Sequence, residues 1–411
     1  MKLNFNAQHS TISPVLPFDI IALIIDIVGE TKETNLLKEL ALVSHSFLQI
    51  SIKHLFATVE LHDADPKNHL ASSKKGFVKL LKSRPNVVNY IRKLTYKVSD
   101  CSNDDDHLLS SILSNFLPTI SRLNCLAING SGRYWDTLDS SMISAFLHLM
   151  RLPTINHIDL SFISNFPLSS LTQSVNLIRL DLLYMTRFED FDQHGEDGFF
   201  KNVQSETMPK IRELHTSGSY QLTTKLFDAK RQDGQPVFKF MDLRQLSTSF
   251  SRFDNEQRLR YLLQNAKLLE ELHLSVGRGQ SLVGVLSSYA RTLKVLDLTV
   301  FLKHYRVPPL SGLCEELEAM AGHNVLEALS LEIYVHIHHT VDFIGSIIRK
   351  VEDVLVKPGW FTLRQVSFKL SCEYSAGSAE LCEALQSLPD KYLSQLSKLE
   401  SVAFNYSASI M

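Results

Sequence analysis

Two short stretches decide the fold: Leu-Glu-Glu-Leu-His-Leu at residues 269–274 and Leu-Lys-Val-Leu-Asp-Leu at residues 293–298. Both read L-x-x-L-x-L, a spacing that places the fourth and sixth residues on one face of a β-strand. Looser copies, with Ile, Val or Phe allowed at the apolar positions, begin at Ile91, Leu123, Ile155, Leu177, Ile211, Leu243, Leu326, Leu363 and Leu399. The sequence therefore repeats one strand pattern along most of its length.

The intervals between copies contain helical patterns, for example at 104–117, 256–266 and 343–356. One strand and one helix per period is the signature of a leucine-rich-repeat solenoid, in which each repeat buries its apolar face against its neighbours. Successive copies start 22 to 37 residues apart, so we expect irregular repeat lengths. Residues 91–411 are predicted to form an irregular leucine-rich-repeat-like α/β solenoid with parallel strands; a doubly wound sheet is the competing fold.

The alternate positions of these strands predict a binding surface. If the fourth and sixth positions point to the core, the third, fifth and seventh line the concave side of the solenoid. The candidate target-binding residues on that side are His157, Asp159, Asp181, His215, His273 and Asp297. Solenoids generally bind another macromolecule there, and aligned carboxylates favour a basic partner. A merely solvated strand face is the alternative.

The segment 16–61 carries three short helical patterns. The first begins at Leu16-Pro17-Phe18-Asp19, where proline is tolerated in the opening turn. It has two apolar stripes at helical spacing, Ile20/Ile24/Ile27 and Ile21/Ile25/Val28. A helix on the surface of a globular protein normally carries one apolar stripe, so we expect both sides of this helix to pack against other residues and to be shielded from water. The second stripe either docks on the rest of the chain or binds another protein.

The order of residues in this segment resembles the F-box, and in particular the F-box-like segment of fungal F-box proteins. The resemblance rests on Leu-Pro-Phe-Asp-Ile-Ile at 16–21, Ile24, Ile27, Leu-Ala-Leu-Val-Ser-His-Ser-Phe at 40–47 and Leu-Phe at 55–56, about 45 of the 411 residues. It implies an N-terminal three-helix F-box-like unit that binds the Skp-type adaptor of a cullin–RING ubiquitin ligase, as in an SCF complex.

The resemblance also assigns residues by position. The implied adaptor contacts are Leu16, Pro17, Ile20, Ile21 and Ile24. The residues implied to support or touch the adaptor are Leu40, Val43 and Phe47. The chain departs from the family at Phe47, where many members have Trp, and at Asp19, where Glu is common.

Residues 62–90 are predicted to form a basic linker with one helix, between the F-box-like segment and the repeats. The wider stretch 67–98 holds nine Lys and Arg and no Asp or Glu. Apolar spacing at 77–81 predicts a helix ended by Pro85, followed by a strand over 88–98. A solvated lysine face is favoured over a patch for nucleic acid or an acidic partner, because no aromatic residues are interleaved in a binding pattern.

Composition excludes several classes of protein. The net charge of -2 argues against a protein dedicated to nucleic acid or acidic membranes. Five cysteines without a C-x-x-C pair predict neither a disulfide framework nor a zinc site, and they fit a reducing compartment. The polar start of the chain lacks a signal-peptide core, and residues 1–15 are expected to be a flexible N-terminus. The apolar run at 20–28 is too short to span a bilayer. We expect a cytoplasmic or nuclear protein without membrane contact.

The sequence contains no motif for catalysis or for a cofactor. No G-x-S-x-G elbow, Walker loop or H-E-x-x-H occurs, and the glycines at 277–280 do not complete a dinucleotide site. A metal site is not expected at His336, His338 and His339, for which no further ligand is fixed nearby, and the acidic stretch 189–197 does not follow calcium-loop spacing. His157 and Asp159 share a face, yet no nucleophile can be assigned to them.

These observations predict a protein that is not an enzyme and that has no cofactor. The expected function is an F-box-type substrate-recognition adaptor that links an unidentified target protein to a Skp–cullin–RING ubiquitin ligase. The alternative is a leucine-rich-repeat scaffold without a link to a ligase.

Overall fold

The computed structural model describes residues 17–31, 33–62, 74–98, 120–185, 209–219, 222, 225–227, 229–230, 234–250, 260, 262–276, 282–302, 312–335, 341–372 and 378–410. Contacts divide the chain into two compact units, residues 1–96 with 104–123 and residues 97–103 with 124–411. The predicted features outside the described residues are the N-terminus 1–15, Leu16, the helix at 104–117, the loop at 189–197, the glycines at 277–280, and His336, His338 and His339.

The first unit begins with three helices, α1 (Phe18–Glu30), α2 (Thr34–Val43) and α3 (His45–Leu55). The carbonyl oxygen of Pro17 accepts hydrogen bonds from the amides of the first turn of α1, as expected for a proline just before a helix. Ser44 caps α3, because its Oγ accepts a hydrogen bond from the amide of Phe47 at 3.3 Å. The three helices predicted within 16–61 are thus present.

The elements described after α3 are strand β1 (Thr58–Leu61), helix α4 (Lys74–Ser83), a 3₁₀ segment (Pro85–Tyr90) and strand β2 (Lys93–Lys97). Strands β1 and β2 pair in parallel. The predicted helix is confirmed, but the predicted strand over 88–98 begins only at Lys93, because the 3₁₀ turns that start at Pro85 occupy residues 85–90.

One lysine of α4 departs from the predicted solvated face. Lys74 is 2% exposed, and its ammonium lies 4.5 Å from the ring centroid of Tyr96. Lys79 and Lys82 are exposed as expected. A cation over an aromatic ring is stabilised by the ring's quadrupole even where water is excluded. The basic stretch therefore contains at least one lysine that contributes to the core of the unit.

The second unit contains a parallel sheet. Its described strands are β3 (Cys125–Tyr134), β4 (His157–Ser164), β5 (Arg179–Leu183), β6 (Glu213–Ser217), β7 (Gln245–Phe250), β8 (Glu271–Val276), β9 (Val295–Leu302), β10 (Ala328–Val335), β11 (Gln365–Cys372) and β12 (Ala403–Ile410). Each strand pairs in parallel with the next one along the chain. This order confirms the α/β class with parallel strands. It differs from a doubly wound sheet, whose strand order reverses in the middle.

Helices and 3₁₀ segments connect these strands. The helices whose bounds lie within the described residues are α5 (Ser140–Met150), α6 (Leu313–Met320), α7 (Val341–Leu355), α8 (Ser378–Gln386) and α9 (Leu388–Tyr392). The 3₁₀ segments are Trp135–Thr137, Leu168–Gln173, Ser287–Tyr289 and Leu396–Lys398. Helix α7 confirms the pattern predicted at 343–356. Within the described residues, every helix is too short or too polar to cross a membrane.

The repeated apolar positions form the core of the second unit. Leu269, Leu272 and Leu274 are each no more than 1% exposed, and Leu293, Leu296 and Leu298 are fully buried. In both copies the first, fourth and sixth residues therefore face the interior, as predicted. Since the strands lie side by side, each copy is covered by the same positions of its neighbours.

Two buried glutamates join successive periods. Glu316 of α6 is 5% exposed, and its carboxylate accepts hydrogen bonds from the amides of Gly284, Leu286 (2.8 Å) and Ser287 (2.7 Å). Glu352 of α7 is 3% exposed and accepts from the amides of residues 395 and 396. A buried carboxylate requires such donors. The sequence pattern did not reveal these contacts, because the donors lie about 30 to 44 residues away.

Candidate functional site

Helices α1 and α2 expose a group of large apolar side chains, which we call the apolar helix face. Its members are Ile20, Leu23, Ile24 and Ile27 in α1, and Leu36, Leu42 and Val43 in α2. Leu42 is 87% exposed and Val43 is 65% exposed. Single exposed apolar residues are common, whereas several of them on two contacting helices are typical of an interaction surface.

The other side of α1 packs within the unit. Ile25 is 1% exposed, and the stripe to which it belongs faces α3. Asp26 holds the two helices together, with its Oδ1 2.7 Å from both the Lys53 ammonium and His54 Nε2. Hydrogen bonds from Lys53 and His54 lower the pKa of Asp26. Of the two predicted stripes, 21/25/28 is therefore the inner one and 20/24/27 the outer one.

The residues assigned by resemblance divide into two groups. Pro17, Ile20, Ile24 and Val43 are exposed. Ile21, Leu40 and Phe47 are half-buried, and Leu16 lies outside the described residues. The assignment did not include Leu23, Leu36 and Leu42, which the structure adds to the surface. The helical spacing of residues 20, 23, 24 and 27 was the signal for Leu23.

On the second unit, the outward side chains of β3–β9 form what we call the polar face. The strand register places the third positions of successive L-x-x-L-x-L copies opposite one another. They form one row, which consists of Cys125, His157, Arg179, Glu213, Gln245 and Glu271. The fifth positions form a second row, Asp159, Asp181, His215, Ser247, His273 and Asp297. All six candidate target-binding residues thus lie on one face, five of them in a single row.

The two rows are joined by a cluster of charged and nucleophilic groups, which we call the Cys–His–Asp cluster. Cys125 Sγ lies 3.2 Å from His157 Nδ1, and His157 Nε2 lies 2.9 Å from Asp181 Oδ2. Arg179 donates to both oxygens of Asp181, at 3.1 Å from Nε to Oδ1 and 3.1 Å from its terminal nitrogen to Oδ2, and it also reaches Glu213. Asp181 is only 6% exposed.

Protonation in the cluster follows from these contacts. Burial alone lowers the pKa of His157, but hydrogen bonds to Asp181 and Cys125 outweigh it and raise the pKa to about 9. Burial also raises the pKa of Asp181, yet hydrogen bonds from His157 and Arg179 bring it below its ordinary value. At neutral pH the cluster therefore contains a cationic imidazole beside an ionised carboxylate.

His215 and His273, the histidines in the row of fifth positions, differ from His157 of the other row. The hydrogen bond from His273 Nδ1 to Asp297 Oδ2, 3.2 Å long, raises the pKa of His273 and lowers that of Asp297. Burial lowers the pKa of His215. The sequence predicted repelling carboxylates, but Asp181 and Asp297 each have a cationic or hydrogen-bonding neighbour. The row is consequently less negative than its composition suggests.

Two stacked aromatic pairs lie at the C-terminal ends of polar-face strands. The rings of Phe162 and Tyr184 lie 5.0 Å apart between centroids, and those of Phe301 and Tyr334 lie 4.6 Å apart. Phe162 and Tyr184 have φ angles of 54° and 52° and are 43% and 51% exposed. The left-handed backbone turns each ring outward, where strand alternation predicts a buried side chain. Sequence reasoning missed both pairs.

Within the described residues, no group of three or more His, Cys, Asp or Glu side chains is arranged to hold a metal ion. No protein-family model matches the chain, and no curated protein matches its sequence. The function is therefore argued from the two surfaces and from the Cys–His–Asp cluster.

Proposed function

We propose that the chain is a substrate-recognition adaptor of a cullin–RING ubiquitin ligase. The segment 16–61 acts as an F-box-like unit that binds a Skp-type adaptor. The repeats of the second unit act as a leucine-rich-repeat-like solenoid that binds the target on its polar face. The observation that carries the proposal is the apolar helix face, because it exposes large apolar side chains on two contacting helices.

The positions of the exposed residues support the Skp-type adaptor as the occupant. Pro17, Ile20, Ile24 and Val43 are assigned to the adaptor contact by resemblance, and all four are exposed. The contacts of Asp26 with Lys53 and His54 join α1 to α3 with its outer stripe pointing away from the core of the unit. A rigid helical surface loses little conformational entropy on binding. The apolar helix face is therefore preorganised for a protein partner.

The polar face supplies the second half of the proposed function. Protein interfaces concentrate their binding energy in aromatic and arginine side chains surrounded by polar groups. The pairs Phe162/Tyr184 and Phe301/Tyr334 provide three exposed aromatic rings and the half-buried ring of Tyr334. We expect these rings to contact the target together with the row of aspartates and histidines.

The first experiment measures binding to a purified Skp-type adaptor. The double variant Ile20→Ala, Ile24→Ala is expected to lower affinity at least about tenfold, because apolar truncations at an interface centre cost about 1–2 kcal/mol each or more. Its free energy of unfolding is expected to change by less than about 1 kcal/mol, because both side chains are exposed. The double variant Leu16→Ala, Pro17→Ala is expected to abolish binding to the adaptor without unfolding the protein.

Phe361→Ala is the matched control, because Phe361 is 85% exposed and lies in the second unit. It removes a large exposed apolar side chain and is expected to leave adaptor affinity unchanged. Unchanged affinity in the Ile20/Ile24 variant would contradict the proposal, and parallel losses of stability and binding would identify these residues as core. A wild-type chain that captures a target but not the adaptor would be a scaffold without a ligase link.

A further inference from the structure

The Cys–His–Asp cluster has the geometry of an activated nucleophile. A nucleophilic sulfur contacts one imidazole nitrogen at 3.2 Å, while a carboxylate holds the other nitrogen at 2.9 Å. This is the arrangement in which a base next to a thiol is itself oriented by a third group. Arg179 in turn fixes Asp181 through three hydrogen bonds. Cys125 is not one of the candidate target-binding residues, and target binding does not explain this arrangement of its side chain.

Two positively charged groups lie beside Cys125. The imidazole of His157 carries a proton at neutral pH, since its pKa is raised to about 9. Arg179 adds a second positive charge that interacts with Cys125. The negative groups on the same side, Asp181 and Glu213, are bound to these two cations. A thiolate next to such cations is the reactive form of cysteine.

Two other cysteines of the described residues, Cys314 and Cys372, lack this environment. Burial, and then the neighbouring carboxylate of Glu315, raise the pKa of Cys314, which is partly exposed. Burial raises the pKa of Cys372 to about 11. Cys125 is 6% exposed and thus less accessible than Cys314. Accessibility favours reaction at Cys314, whereas the contact of its sulfur with the imidazole of His157 favours reaction at Cys125.

We propose that Cys125 is a site of thiol modification, whose thiolate attacks small soft electrophiles such as hydrogen peroxide. The sulfur attacks one peroxide oxygen and the O–O bond breaks. The departing hydroxide takes the proton of His157 and leaves as water. Sulfur loses two electrons and becomes a sulfenic acid, peroxide gains them, and His157 is left neutral. Asp181 is a positioning residue, because it holds the imidazole and touches no reacting atom.

The experiment compares cysteines within one native, full-length chain. The protein is treated with iodoacetamide between pH 6 and 8, and alkylation of each cysteine is followed by peptide mass spectrometry. At pH 6.5 Cys125 is expected to react at least tenfold faster than Cys314. Its rate is expected to rise less steeply with pH than that of Cys314, which should rise about tenfold per pH unit, as for an ordinary thiol. Peroxide followed by dimedone is expected to label Cys125.

The variant His157→Gln tests the role of the imidazole. Glutamine keeps a hydrogen-bonding group but cannot carry the proton, so Cys125 should react at least tenfold more slowly and regain a steep pH dependence. Cys314 is the internal control, and its rate should stay the same. If the variant misfolds, the pH dependence of the alkylation rates of Cys125 and Cys314 in the wild-type chain still tests the proposal. The proposal is overturned if native Cys125 reacts no faster than Cys314 at pH 6.5, or if a folded variant keeps the wild-type rate and profile.

Discussion

Raising the pH is expected to destabilise the second unit through His157. Hydrogen bonds to Asp181 and Cys125 raise its pKa in the folded chain to about 9, against 6.5 for an ordinary histidine. The folded state therefore binds this proton more tightly than the unfolded state does. The resulting stabilisation is fully present below about pH 6.5 and is lost as the pH rises through about 9.

The size of the effect follows from the same values. A tenfold change in proton affinity corresponds to about 1.4 kcal/mol, so a rise from 6.5 to about 9 is worth about 3 kcal/mol. The His157 side chain is 21% exposed and that of Asp181 is 9% exposed, so solvent screens the pair only weakly. His273, whose pKa is also raised, contributes in the same direction.

Urea unfolding followed by tryptophan fluorescence measures this loss. Both tryptophans of the chain, Trp135 and Trp360, belong to the second unit, and Trp135 is buried against Phe166 with ring centroids 4.8 Å apart. The wild-type free energy of unfolding is expected to fall by about 3 kcal/mol more than that of His157→Gln between pH 6 and 9.5. Subtracting the variant removes the contribution of His273. Equal slopes for the two proteins would refute the reasoning.

Two further predictions concern the core and the polar face of the second unit. Glu316→Ala is expected to lower the free energy of unfolding by about 3 kcal/mol, because three amides lose their acceptor. The control is Glu315→Ala, which removes the exposed neighbouring carboxylate and should change the free energy of unfolding by no more than about 0.5 kcal/mol. Similar values for both variants would contradict the anchoring role of Glu316. Replacing Asp159, Asp181 and Asp297 with asparagine is expected to lower target capture and weaken its salt dependence, with adaptor binding unchanged. Capture of the same partners with wild-type salt dependence would mean that the row is only a solvated face.

The repeated leucines show what could be predicted from the sequence. Apolar residues at the first, fourth and sixth positions indicate a strand with one buried face, and Leu272 and Leu296 are buried as that pattern requires. Alternation alone decides which side chains point outward, and repetition decides that the strands stack. The α/β class with parallel strands followed from local patterns, without any knowledge of long-range contacts.

The contacts between outward side chains were not predictable in the same way. His157 lies on the same strand as Asp159, but its hydrogen-bond partner is Asp181 of the next strand. The copies of the pattern are unequally spaced, so the sequence does not show which residues of two neighbouring strands lie opposite one another. Cys125 occupies the third position of the copy that begins at Leu123, so the alternation rule already placed it on the outward side. Only the structure shows that its sulfur meets His157.

The strand order of the second unit has a consequence for how this protein can evolve. The starts of β4 and β5 lie 22 residues apart and those of β11 and β12 lie 38 apart, yet both pairs of strands are parallel and have an unbroken register. Insertions and deletions are therefore absorbed by the connecting segments, where added length costs little. Duplication of a whole period would add one column of outward residues, so selection can alter binding specificity one strand at a time.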